Sequence, residues 1–157
     1  MIDHDEFRAV MGRFASGVTV VTSVNDEGQD EGMTISAFCS LSLDPPLILF
    51  CVDHSASMYD SLAAAPGFIV NILSERQEPL ARRFSGPDPN RFDGIGYTRG
   101  ISGIAVLDDV LGYLECRRIA THRGGDHCIY VGEVEVARAT EGRPLLYYRG
   151  GYAQLER

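Results

Sequence analysis

Phe7, Val10, Met11 and Phe14 recur at the i, i+3, i+4, i+7 spacing of one helical face, with Asp3 or Asp5 ahead of them as a cap. This predicts a short amphipathic helix, ended by Gly17. A β pattern follows. Residues 18–22 (Val-Thr-Val-Val-Thr) read as a strand, 25–28 (Asn-Asp-Glu-Gly) as a turn, and 33–43 as a second strand, so the pair forms a hairpin. Asp44-Pro45-Pro46 breaks the chain. The continuous apolar run 47–52 then reads as a strand buried on both faces. Ser55-Ala56-Ser57 looks like the cap of a short helix through Ala65, Pro66-Gly67 is a turn, and 68–73 is another buried strand. Ser74 with Gln77 three residues on fits a capping box, opening a helix whose apolar face carries Leu80 and Phe84. Residues 85–103, rich in Gly, Pro and Asp, read as a long surface loop of the kind that is often functional. Two long β segments, 110–120 and 129–139, flank a turn at 124–127, and short strands at 145–148 and 151–155 close the chain.

These segments give about six or seven strands and two or three short helices, a count that rests on residue pattern. Strands and helices do not alternate, which argues against a doubly wound parallel sheet and for an antiparallel barrel. No Gly-x-Gly-x-x-Gly follows a strand, and Gly100-Ile-Ser-Gly103 has neither the spacing nor the flanks. Any nicotinamide nucleotide is therefore not held in a Rossmann fold. The 157 residues suit a single domain over 1–157, with no linker, repeat or low-complexity tract.

Charge narrows the partners. The net charge is −8 and there is no basic stripe, so nucleic acid and anionic membrane surfaces are disfavoured. All 14 basic residues are Arg, which excludes a P-loop and leaves Arg, His, hydroxyls or backbone N–H groups to hold any phosphate. No apolar run approaches the ~18 residues of a spanning helix. The acidic N-terminus is unlike a signal peptide. Cys39, Cys51, Cys116 and Cys128 form no Cys-x-x-Cys pair and read as free buried thiols, which places the protein in a reducing cytoplasm. His4, His54, His122 and His127 lack ligand spacing, so no metal site is expected.

Four segments, in this order, resemble the short-chain flavin reductase family: 17–22 after the first helix; 32–46 (Gly-Met-Thr-Ile-Ser-Ala-Phe-Cys-Ser-Leu-Ser-Leu-Asp-Pro-Pro); 68–74 with 80–84; and 125–133 with 144–150. The resemblance implies an FMN-binding split β-barrel, mainly β with short helices. The implied activity is NAD(P)H:flavin oxidoreduction, reducing FMN or FAD with NADH or NADPH. The implied partners are a second subunit in a homodimer and a monooxygenase that takes the reduced flavin.

Residue chemistry and resemblance meet at five places. Around Met33, Thr34, Ser36, Ala37, Cys39 and Ser40, small side chains let a backbone approach a flavin ring and offer donors to the N1/C2=O edge, where negative charge develops. Residue pattern alone equally fits the wet face of a plain strand. At Asp53-His54-Ser55-Ala56-Ser57, hydroxyls at a helix N-terminus suit a phosphate, or simply cap the helix. Relatives often carry a Lys here and this chain has none, so His54, Arg82 or Arg83 would supply the charge. The end of the third helix, Arg82-Arg83-Phe84-Ser85, either closes over the flavin or is a solvated basic helix end. His127, with Asp126 to fix its tautomer, would position the nicotinamide, since hydride transfer needs no general base; a lone turn histidine is otherwise a surface residue. Arg149 and Tyr152 suit stacking and pyrophosphate pairing, or a closing hairpin's core. Alternatives that stay open are a pyridoxamine-phosphate-oxidase-like FMN enzyme, a non-reductase flavin or haem carrier, and a barrel that binds only protein.

Overall fold

The computed structural model describes residues 1–156. In chain order the elements are α1 (His4–Met11), β1 (Ser16–Gly17), β2 (Thr19–Val24), β3 (Asp30–Ile35), β4 (Phe38–Leu43), β5 (Pro46–Asp53), α2 (Tyr59–Ala64), β6 (Gly67–Ile72), a 3-10 turn (Glu75–Gln77), α3 (Glu78–Ser85), β7 (Tyr97–Arg99), β8 (Ala105–Leu107), β9 (Gly112–Gly124), β10 (His127–Ala139), β11 (Leu145–Tyr148) and β12 (Gly151–Gln154).

Seven strands form one antiparallel sheet in the order β3-β2-β6-β9-β10-β5-β4. The terminal strands β3 and β4 are separated in sequence by only Ser36 and Ala37. Two residues cannot span a flat seven-stranded sheet, whose strands lie about 4.8 Å apart. The sheet therefore curls until its edges nearly meet, and β3 lies against β5. The antiparallel barrel expected from the pattern is what forms. A smaller sheet, β1-β11-β12, and the β7-β8 pair flank it.

The barrel interior is filled by alternate residues. Phe50 meets Phe68 edge-on at 4.8 Å and stacks on Tyr130 at 5.5 Å, with Val21, Ile48, Val52, Met58 and Leu62 around them. Gly132 sits where β10 bulges: a Cβ there would lie 2.6 Å from the Phe68 ring. A second cluster packs α3 against the barrel through Val18, Leu73, Ala81, Phe84, Leu107 and Leu145. Between the two, buried Asn71 donates to Val20 O (2.9 Å) and accepts from Leu107 N (3.0 Å), while Thr22 Oγ1 donates to Ala105 O (2.7 Å). This polar knot ties β8 to β2 and β6.

Several sequence expectations are corrected. The strand read over 33–43 is two strands, because the chain crosses from one sheet edge to the other at Ser36-Ala37. The run 47–52 is not buried on both faces: Ile48, Phe50 and Val52 enter the barrel, and Leu47, Leu49 and Cys51 are half-exposed outside it. The first helix ends at Gly12, not Gly17. The second begins only at Tyr59, with no side-chain cap; Ser55 lies in the turn before it, where its N–H and hydroxyl donate to Asp53. The loop over 85–103 contains β7, and β8 was not anticipated. The 74–77 capping box and the 124–127 turn form as expected. All four cysteines are free, but Cys39 is exposed and Cys51 only partly covered.

Replacing Asn71 with Ala strands the Leu107 N–H in the interior. The unfolding free energy in urea is expected to fall by about 2–3 kcal/mol; a fall under about 0.5 kcal/mol would show the knot to be dispensable.

Candidate active site

The Gly125-Asp126 turn brings β9 into β10, and the first residue of β10, His127, stands across from Asp53, the last of β5. The His127 ring hydrogen-bonds through Nδ1 to Asp126 Oδ1 at 2.7 Å. Asp53 Oδ1 accepts from both the Ser55 N–H and the Ser55 hydroxyl at 2.8 Å. His54 N donates to Asp126 O at 3.0 Å, which pins the turn to the end of β5. One ligand atom from each of Asp53, Asp126 and His127 falls within 4.8 Å of the others. The carboxyl of Asp126 is held below its ordinary value by the His127 hydrogen bond and then by its charge. That of Asp53 is held down chiefly by the Ser55 N–H and hydroxyl, and more weakly by the charges of His127 and His54. The His54 ring packs edge-on to Tyr59 at 5.0 Å, and its Nε2 is buried without a hydrogen-bond partner.

The crossover reaches this cluster. Ala37 O accepts from Cys51 N at 3.0 Å, two residues before Asp53. Ser36, Ala37, Cys39 and Ser40 are exposed. Because β4 ends the sheet, its outer edge presents backbone N–H and C=O groups that no strand pairs. Met33 points into the barrel core, and the Thr34 hydroxyl donates to Ala81 O of α3 at 2.7 Å. The 33–40 segment thus links the His127 cluster to α3.

A second group gathers at α3. The Arg82 guanidinium stacks on the Tyr152 ring at 5.0 Å and Nε donates to Glu78 at 3.0 Å; Tyr152 meets Tyr147 at 5.4 Å. Arg149 and Gly150 both have positive φ (52° and 77°), the signature of a type I′ turn joining β11 to β12, so Arg149 sits exposed at a hairpin tip. Its N–H donates to Gly12 O at 2.9 Å.

Three site expectations are redrawn. Phe84 is fully buried in the α3 core, so its ring faces no ligand. Arg83 donates to Arg91 O, Asn90 O and Asp93 O at 2.7–2.8 Å, which turns its guanidinium inward to clamp the loop that follows α3. Asp53 turns toward Ser55 and His127, and an anion there would be repelled by its carboxylate. Ser85 caps Arg82 O and Ser57 is exposed. Arg91 was overlooked: it donates to Gly32 O and Gly86 O at 2.7 Å and anchors the loop to β3. It lies in a stretch with no periodicity, so only its charge marked it.

The flavin reductase-like domain family matches residues 11–156. The chain belongs to this family. Among its relatives is the reductase subunit HsaB of a flavin-dependent monooxygenase from Rhodococcus jostii, 38% identical over 99% of this chain and 80% of that protein. An NADH-dependent flavin reductase from Rhodococcus is 39% identical over 95% of this chain and 85% of that protein. The solved Streptomyces globisporus NADH:FAD oxidoreductase SgcE6, in complex with NAD and FAD fragments, superposes with a TM-score of 0.93 at 35% identity, covering 98% of this chain and 93% of that one. The flavin reductase-like barrel thus carries all four resembling segments. The crossover, edge strand and hairpin tip described above are this chain's version of that fold.

Two measurements follow from this geometry. In Arg83→Ala, the 86–94 loop loses its clamp and should become the first site of cleavage in limited proteolysis; an unchanged pattern would show that Arg91 alone holds it. In His127→Ala, the Asp126 carboxyl loses the group that depresses it, and its NMR titration should move up toward 3.8. The sign for stability follows: the carboxylate's contribution is present above that ordinary value and is lost as pH falls through the depressed one.

Proposed function

We propose that this flavin reductase-like chain, one domain over 1–157, is an NAD(P)H:flavin oxidoreductase that reduces FMN or FAD. The observation carrying the proposal is the crossover. It sets the free edge of β4 and the small residues 36–40 beside a histidine already oriented by a carboxylate. The donor set fits a flavin: unpaired edge N–H groups, the hydroxyls of Ser36, Ser40 and Ser57, and the unpartnered His54 Nε2.

When bound, the flavin supplies the chemistry, accepting a hydride from the nicotinamide. The chain's own residues do the rest. Donors along 34–40 hold the ring edge on which negative charge develops, and being fixed to a strand they need no rearrangement as it appears. His54 and Ser57 hold the ribityl and phosphate end. Arg82 stays near, its guanidinium stacked on Tyr152. His127, its Nδ1 satisfied by Asp126, presents Nε2 to the nicotinamide carboxamide and fixes the ring's approach. Arg149 and Tyr152 hold the rest of the nucleotide. No residue here moves a proton in the hydride step.

Relatives named as reductase subunits and components of monooxygenases support a partner oxygenase that takes the reduced flavin. Those named for NADH support NADH as the reductant. A homodimer fits the open edge strand and the exposed apolar residues Leu41 and Leu43 beside it. Four free thiols fit a cytoplasmic protein.

The test follows the absorbance of NADH and NADPH with FMN or FAD added. Turnover that depends on added flavin is expected, and its absence with every pair would refute the enzyme reading. In His127→Ala, KM for NADH should rise about tenfold, the loss of one ~1.4 kcal/mol contact, with a smaller change in kcat. An unchanged KM would remove His127 from the nucleotide site.

A further inference from the structure

Two guanidiniums hold the loop after α3. Arg83 donates to three of its carbonyls, and Arg91 reaches out of it to Gly32 O of β3 and to Gly86 O. Between this loop and the β2–β3 turn lies a cleft of about 680 Å³, with Ser57 and Met58 in its wall. Ligand sites run from about 300 to 1,000 Å³ and are usually formed before the ligand arrives. This one is formed from both sides. While the arginines fix the loop, β3 is fixed by Glu31, which accepts from the Ser61 hydroxyl, and by Asp30, which pairs with Arg99 at 2.9 Å.

The lining restricts what can enter. Asp30, Glu31, Asp88 and Asp93 supply carboxylates, and Arg91 is the one cation among the described residues of the wall. Its guanidinium is already bonded to two carbonyls. A phosphate in the cleft would be repelled. A neutral group rich in donors suits it, because carboxylates and carbonyls accept hydrogen bonds. β3 also ends the sheet, so its outer edge adds unpaired backbone groups. The cleft shares Ser57 with the segment that holds the flavin phosphate in the reductase reading. FMN ends at that phosphate and leaves the cleft to water. FAD continues through a second phosphate into adenosine, which is uncharged and carries an amino group and ribose hydroxyls as donors.

We propose that this cleft takes the adenosine half of FAD, so that FAD and not FMN is the flavin this chain binds more tightly. The inference rests on the reductase reading and names its flavin. The adenosine is the flavin's and not the nicotinamide nucleotide's, because the cleft adjoins the flavin phosphate through Ser57, whereas neither Arg149 nor Tyr152 lines it. Clamping by Arg83 and Arg91 then has a use beyond the fold: it keeps the wall in place for a ligand that brings no charge to organise it.

Isothermal titration calorimetry with no reductant present tests it. FAD, FMN and NAD+ are each titrated into the unaltered chain, Asn90→Trp and Gln29→Trp. Asn90 and Gln29 are exposed on opposite walls. The Asn90 bonds to Asp88 and Arg83 run through its backbone, so a larger side chain fills the cleft and leaves them in place. The unaltered chain is expected to bind FAD about tenfold more tightly than FMN. Each variant should lose that margin while its affinity for FMN stays the same, which also shows it to be folded. Equal affinities for the two flavins in the unaltered chain would overturn the proposal. So would an FAD-to-FMN ratio that neither variant changes, whether or not both affinities fall. Variants that weaken NAD+ and spare FAD would assign the adenosine to the nucleotide and overturn it too. An unaltered chain that binds neither flavin would overturn the reductase reading, and this proposal with it.

Discussion

The two-residue link at Ser36-Ala37 is the constraint on which the rest depends. It joins the two ends of a seven-stranded sheet, and the only way to satisfy it is to bend the sheet into a barrel. Closure turns Ile48, Phe50, Val52, Phe68 and Tyr130 into one interior. It also leaves a gap beside β4, because a crossover that short cannot itself be a ladder strand. The barrel is split where its chain has to turn.

The hairpin tip depends on the same closure. Asp126 and His127 are adjacent in sequence, but Asp53 arrives from a strand end more than seventy positions earlier. The result is an imidazole between two carboxylates, one bonded to it and one held by Ser55, in an exposed position where both remain ionised at neutral pH. An arrangement of this kind suits orientation. The ring is held by a partner that already satisfies one nitrogen, and the other nitrogen is left for a ligand. Behind the second group, the clamps made by Arg83 and Arg91 hold the loop after α3 by backbone carbonyls, which any loop sequence offers.

Local chemistry was legible where it acts over a few residues. The Ser74 and Gln77 box, the tight turn before His127 and the β-branched strands 19–24 and 127–139 all formed, since capping bonds and the preference of β-branched residues for extended backbone act within the segment itself. Two readings failed where a local rule met a distant partner. Ser55 looks like a helix cap by residue type, yet its N–H and hydroxyl both donate to the Asp53 carboxylate two residues earlier, in a turn, and the helix begins only at Tyr59. Arg83 looked like a free cation at a helix end, but three carbonyls of the following loop surround it. Neither competition can be weighed from spacing, because it turns on directions that only the folded backbone sets.

The sequence by itself determined the class of fold, the absence of a Rossmann phosphate loop, the family through four segments in order, and the residue types able to touch a flavin and a nicotinamide. These are properties of pattern, readable because side-chain periodicity follows backbone geometry one element at a time. Only the tertiary structure decided that residues 33–43 are two strands on opposite edges, that Phe84 is core, that Asp53 faces His127, and that the apolar residues of α1 stay exposed. Each of these is a relation between segments far apart in sequence. Such relations are set by how the sheet closes and by which faces are left over once it has.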